Sequence, residues 1–126
     1  METQTKNGLI LFAHGSRDPL WRGPFESILE KTREKHSGPV ALAFLECMEP
    51  SLQLAIDMMA SEDIQQIKVI PLFLAAGSHV RKDLPEMIKT AQAKHPDISI
   101  STTAAIGEQA EIQSAITSFA LNAQNI

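Results

Sequence analysis

The chain has 126 residues, 44% apolar and 21% charged, the proportions of one soluble globular domain with enough chain to bury a core. Its formal charge of −4 excludes a general nucleic-acid binder, which needs a basic face to displace counterions, but leaves room for a small anionic ligand held by a local group of arginines. A single cysteine, Cys47, excludes an internal disulfide, and a polar start with no long apolar run predicts a cytoplasmic protein without a membrane segment.

In chain order, the first strand is expected at Leu9 to Ala13, an unbroken apolar run that suits a central parallel strand covered on both faces. A helix should follow from Pro24 to Lys35, with Pro24 near its first position and Phe25, Ile28, Leu29 and Thr32 on one face. Gly38-Pro39 ends it. The second strand is Val40 to Leu45. A second helix should begin at Pro50, with Glu49 at its N-cap and Leu52, Ala55, Ile56 and Met59 on its buried stripe.

The third strand is Ile67 to Leu74, and Pro71 predicts a bulge or the end of its ladder, since proline has no amide to donate. Asp83 and Glu86 are spaced as a capping box for a third helix near Leu84, which should end before His95-Pro96. Ile98 to Thr102 alternates apolar and polar residues and reads as an edge strand. The last helix, Glu108 to Leu121, should bury Ile112, Ala115, Ile116 and Phe119.

Four βα units in one domain spanning 1–126 imply a doubly wound, flavodoxin-like α/β fold. The expected sheet is four-stranded and parallel, in the order 2-1-3-4, with helices on both faces. Ligands of such sheets bind outside the carboxyl ends of the strands, where the chain reverses direction. There the sequence places His14-Gly15-Ser16-Arg17 after strand one, Glu46 after strand two, and Ala76-Gly77-Ser78-His79 after strand three. A histidine beside a turn is more often a cap or core residue than a ligand. Two at one rim with a carboxylate, none on an expected helix face, tip the balance toward a site.

His36 and His95 fall at helix ends away from that rim, where imidazolium mildly complements the dipole. Two imidazoles and a carboxylate suit a borderline divalent ion such as cobalt, nickel, iron or zinc, at about 2.0–2.1 Å for zinc, and leave coordination positions open. Gly15 and Gly77 permit tight turns and close approach of a ligand. Arg17 and Arg81 are shaped to grip carboxylates, whereas Lys82 reads as a surface charge. Cys47 reads as an inert buried thiol.

Three segments carry a specific likeness: Leu11 to Asp18 (LFAHGSRD), Phe44 to Leu52 (FLECMEPSL) and Pro71 to Pro85 (PLFLAAGSHVRKDLP). In that order they resemble the sirohydrochlorin cobalto- and ferrochelatases, the small class II chelatase family, over essentially the whole chain. The resemblance implies a metal chelatase, a lyase that inserts cobalt, iron or nickel into sirohydrochlorin or a related tetrapyrrole, in cobalamin, siroheme or nickel-tetrapyrrole biosynthesis. It implies that His14 and His79 bind the metal and help catalysis, with Glu46 in the same site. Arg17, Ser16, Ser78 and Arg81 become candidates to hold the carboxylate-rich ring, whose flat face would lie against Leu45 and Leu74.

The long members of the family carry two such domains, and the short form pairs as a symmetric homodimer. No cofactor beyond the substrate metal is expected, and no nucleic acid or membrane partner. A carrier of metal or tetrapyrrole using the same rim is the rival reading. A histidine phosphatase would need Arg before His-Gly, where this chain has Ala13. A serine elbow and the acidic cluster of a receiver domain are likewise missing from the sequence.

Overall fold

The computed structural model describes residues 7–124; residues 1–6, which include most of the polar start, and residues 125–126 lie outside it. Strands β1 (Asn7–Ala13), β2 (Val40–Phe44), β3 (Gln66–Pro71) and β4 (Ser99–Thr102) form one parallel sheet in the order β2-β1-β3-β4. Helices α1 (Gly23–Lys35), α2 (Leu52–Ala60), α3 (Ser78–Lys94) and α4 (Ala110–Ala123) alternate with them, and 3₁₀ turns occupy Pro19–Arg22 and Ile106–Glu108. The α/β class and strand order are those expected. No helix among the described residues is long and apolar enough to cross a membrane.

Strand β1 is apolar on both sides because it is covered on both sides. Ile10 and Phe12 join Ala43, Val69 and Ile100 against Ile56 of α2 and Leu84 and Ala91 of α3. Leu11 and Ala13 join Leu42 and Phe44 against Leu29 of α1. Burying a side chain the size of Ile10 or Phe12 contributes about 1.5–3 kcal/mol, and both are fully buried. In α1, Leu29 is buried and Phe25 and Thr32 are half-buried, but Ile28 is exposed rather than part of the covered face. All four stripe residues expected of α2 are buried.

Pro71 ends β3, as its chemistry demands. The Leu72 N–H donates to Phe12 O at 2.8 Å, so by alternation the Pro71 nitrogen faces β4, where the ladder closes with Thr103 N to Val69 O at 3.1 Å. No donor is missed there.

Three expectations are corrected. Helix α2 starts at Leu52, capped by Ser51, whose Oγ accepts from Leu54 N at 3.2 Å; Glu49 is not the cap, and the Glu49–Pro50 peptide is cis. Helix α3 starts at Ser78, six residues before the expected Leu84, so Asp83 and Glu86 are not a capping box and Pro85 lies inside the helix. An internal proline costs a helix about 3 kcal/mol in isolation, and here the exposed Pro85 is tolerated because Leu84 and Ala91 anchor the helix to the core.

Helix α4 is the third correction. It buries none of its residues: Ile112 is half-buried, while Ala115, Ile116 and Phe119 are exposed, and its substantial neighbour is the Ile106–Glu108 turn. The face of β3 and β4 on the α1 side carries Lys68, Ser99 and Ser101 beside the half-buried Ile70, and is more polar than the face that α2 and α3 cover.

Candidate active site

Two strand exits are stitched together beyond the sheet. Leu45 N donates to Ala13 O at 2.9 Å, and Glu46 N donates to His14 O at 3.1 Å, so the β1–β2 ladder runs on to the residues of interest. Gly15 makes this approach feasible. Its φ is +96°, a left-handed value, and a Cβ there would overlap the Glu46 carbonyl oxygen. The chain then turns sharply: Cys47 has φ +68°, and Met48 N donates to Glu46 O at 2.8 Å. Gly77 differs, since it caps α3 at φ −66° with open space where a Cβ would stand, so the fold does not require glycine there.

The result is a close pair. His14 Nε2 stands 3.6 Å from Glu46 Oε2, and both side chains are more than half exposed. That separation is too long for a hydrogen bond. It is close to the ~3.4 Å between two ligands that share a tetrahedral ion at about 2.1 Å each. The His14 ring stands edge-on to the buried Phe73, with centroids 6.1 Å apart and planes at 76°.

His79 is elsewhere. As the second residue of α3 its side chain is 92% exposed, and its Nε2 lies 3.2 Å from Asp83 Oδ2, one turn along the helix. The expectation that it avoids a helix face is corrected by the early start of α3. Among the described residues, no three His, Cys, Asp or Glu side chains gather into a metal-holding group. The rim therefore holds the close His14–Glu46 pair, with a second histidine, His79, braced by its own carboxylate. The sequence offered Asp83 as a helix cap and not as a partner of His79, because their helical i, i+4 relation exists only if the helix begins at Ser78.

Arg17 and Arg81 are exposed, and neither forms an ion pair among the described residues. Ser16 Oγ accepts from Asp18 N at 3.0 Å, and Ser78 is exposed at the head of α3. Leu45 is half-buried and Leu74 exposed. Cys47 is exposed, which corrects its reading as a buried thiol.

Arg22 holds the loop that follows Glu46. Its Nε binds Glu26 Oε2 at 2.8 Å, its Nη1 donates to Glu49 O at 3.3 Å, and its guanidinium lies 4.9 Å over the Phe44 ring. No local pattern marks this role, because Glu49 is 27 residues away.

The two remaining histidines lie away from the pair. His36 Nε2 meets Asn7 O at 2.7 Å. His95 Nε2 lies 2.7 Å from Asp57 Oδ1, whose other oxygen takes Lys94 Nζ at 2.8 Å. Hydrogen bonds from Lys94 and then His95 hold the Asp57 carboxyl below its ordinary range.

Residues 8–122 match the model of the CbiX family. The chain is 35% identical over 83 residues to a sirohydrochlorin cobaltochelatase from Methanothermobacter thermautotrophicus, which covers 66% of this chain and 58% of that protein. It superposes on the crystal structure of a cobalamin biosynthesis CbiX protein from Marinobacter aquaeolei with TM-score 0.83 and 36% identity, covering 94% of this chain and 98% of the other. The sirohydrochlorin chelatase SirB from Bacillus subtilis subspecies spizizenii, solved in complex with cobalt, superposes with TM-score 0.77 and 30% identity. That match covers 90% of this chain but 49% of SirB. The chain thus spans little more than half the length of the Methanothermobacter relative it matches.

Proposed function

The chain belongs to the CbiX family, and on that premise we propose that it is a metal chelatase, a lyase that inserts divalent cobalt, iron or nickel into sirohydrochlorin or a related tetrapyrrole. The products of such a reaction feed cobalamin, siroheme or nickel-tetrapyrrole synthesis. The observation that carries the reading is the His14–Glu46 pair, 3.6 Å apart on an open rim. Its spacing suits one ion, and its exposure lets a flat ring lie above it.

Insertion exchanges two pyrrole protons for one metal ion. In this proposal His14 and Glu46 present the ion loosely, so that the ring can take it. Imidazole is suited to accept protons near neutral pH. His79, exposed and braced by Asp83, takes one pyrrole proton as the metal enters, and His14, released from the ion, takes the other. Arg17, Arg81, Ser16 and Ser78 hold the ring's carboxylates. The metal is substrate, and the chemistry calls on no further cofactor. A reducing cytoplasm suits the free, exposed Cys47.

We also propose that residues 1–126 act as one unit that pairs with a second copy. Helix α4 presents an apolar stripe with Phe119 76% exposed, and between Gln109 and Gln124 its one charged residue is Glu111. Such a surface fits a protein partner better than an anionic membrane. SirB, about half of which this chain matches, has length for a second unit of this size.

The test mixes the protein with sirohydrochlorin and cobalt, iron or nickel and follows the visible absorbance. Insertion should exceed the protein-free rate. His14→Ala and Glu46→Gln should each slow it about 100-fold or more, and His79→Ala about 10²-fold or more, the range of a lost acid–base group. Unchanged rates in both histidine variants overturn the mechanism, and binding without turnover in the wild type establishes a carrier instead. Sedimentation should show a dimer that Phe119→Glu dissociates, and a wild-type monomer at tens of micromolar would refute the pairing.

A further inference from the structure

Beside the rim lies a pocket of about 250 Å³ at the carboxyl ends of β3 and β4, between the head of α3 and the Ile106–Glu108 turn. Phe73, Val80, Leu84 and Ala105 form its apolar wall, and Arg81 and Glu108 are its charged residues. It is built, not incidental. Gly107 N donates to Phe73 O at 3.0 Å, and a Cβ on Gly107 would overlap the Leu74 carbonyl, so this glycine lets the turn close against the exit of β3. Phe73 belongs to both places: it lines the pocket and carries the His14 ring edge-on at 6.1 Å. One aromatic ring therefore separates the pocket from the His14–Glu46 pair.

Its size and chemistry name its occupant. Pockets that enclose a whole drug-sized ligand run from about 300 to 1,000 Å³, so this one takes a substituent and not a macrocycle. The apolar wall suits methylene groups. The hydroxyls of Thr102 and Thr103, also in the lining, are committed to main-chain carbonyls. Arg81, without an ion pair among the described residues, is left as the side-chain donor, and guanidinium grips carboxylate in bidentate fashion. Glu108 repels a second carboxylate.

We infer that this pocket is the subsite for one carboxylate-bearing arm of the ring, gripped by Arg81, and that it fixes the ring's rotation over the His14–Glu46 pair. The inference rests on the chelatase reading. Rings with short apolar substituents at that position forgo the Arg81 contact, so the pocket selects for acidic tetrapyrroles.

The test is a binding titration with the full chain, without metal, using sirohydrochlorin and its fully methyl-esterified form as probes and reading the ring's absorbance. Arg81→Gln, at an exposed position that the fold tolerates, should weaken binding of the acid about tenfold or more, the worth of a hydrogen bond to a charged group, and leave the ester unaffected. Glu108→Gln should tighten binding of the acid by about twofold or more. Lys82→Gln, a neighbouring cation outside the lining, should change nothing. Equal losses in Arg81→Gln and Lys82→Gln, or equal losses for acid and ester, overturn the subsite. If the wild type metallates sirohydrochlorin while Arg81→Gln binds it normally, the subsite alone fails. If the wild type neither binds nor metallates it, the chelatase reading falls and takes the subsite with it.

Discussion

Helices α2 and α4 carry the same kind of apolar stripe and meet opposite fates. Leu52, Ala55, Ile56 and Met59 of α2 are all buried, while none of Ile112, Ala115, Ile116 and Phe119 of α4 is. Periodicity states which face of a helix seeks cover. What covers it depends on the surface across from it: under α2 that is Ile10, Phe12 and Val69, whereas the substantial neighbour of α4 is the short Ile106–Glu108 turn. An apolar stripe left open in this way is the surface that the proposed second copy would cover.

The contrast can be broken by substitution. Ile56→Ala should cost about 2–5 kcal/mol in urea unfolding, the range for a fully buried isoleucine. A loss under 1 kcal/mol would mean that the α2 interface is looser than its burial indicates.

A second contrast, between the two glycines of the rim, is next in size. Gly15→Ser should cost about 1–3 kcal/mol for a forced left-handed residue and should also slow metal insertion, because His14 and Glu46 are pushed apart. Gly77→Ser should be neutral or stabilise α3 by a few tenths of a kcal/mol, roughly the advantage of a serine cap over glycine. Equal effects at the two positions would refute the geometry of the His14–Glu46 junction.

Asp57 sharpens the comparison further, since it ties α2 to the end of α3 whereas α4 has no such tie among the described residues. Lys94 and His95 hold its carboxyl below the ordinary range, so its contribution is complete above that range and fades as pH falls through the lowered value. Asp57→Asn should cost about 1 kcal/mol at pH 7, and the gap from wild type in thermal unfolding should close as the pH drops below about 4, the ordinary carboxylate value. A gap that widens in acid would reverse the assignment.

The smallest effect is expected at Phe119. Phe119→Ala should change the stability of dilute, dissociated protein by less than about 0.5 kcal/mol. In concentrated protein the wild-type midpoint should rise with concentration and the variant's should not. A loss as large as that of Ile56→Ala in dilute protein would show that α4 is covered within its own chain.

The meeting of His14 and Glu46 was legible because it depends on strand exits. His14 and Glu46 follow adjacent parallel strands, and parallel neighbours bring their exits side by side whatever the loops do. His79 follows a third strand through a longer connection, and its direction depends on where α3 begins. The capping-box spacing of Asp83 and Glu86 argued for a late start, yet the helix begins at Ser78 and the packing of Leu84 and Ala91 carries it through Pro85. The hold of Arg22 on Glu49, the pairing of Asp57 with His95 and the clasp of Gly107 on Leu74 all join residues distant in the chain. None has a local signature.

Sequence alone determined the alternation of strands and helices, the 2-1-3-4 order, the covered stripe of α2 and the meeting of His14 with Glu46. These follow from apolar periodicity and from the handedness of βα connections, both of which are local rules. Only the tertiary structure decided that His79 pairs with Asp83, that α4 stands uncovered and that a pocket opens beside Arg81. Each of these depends on the face that one element happens to present to another, and periodicity along a chain does not encode that.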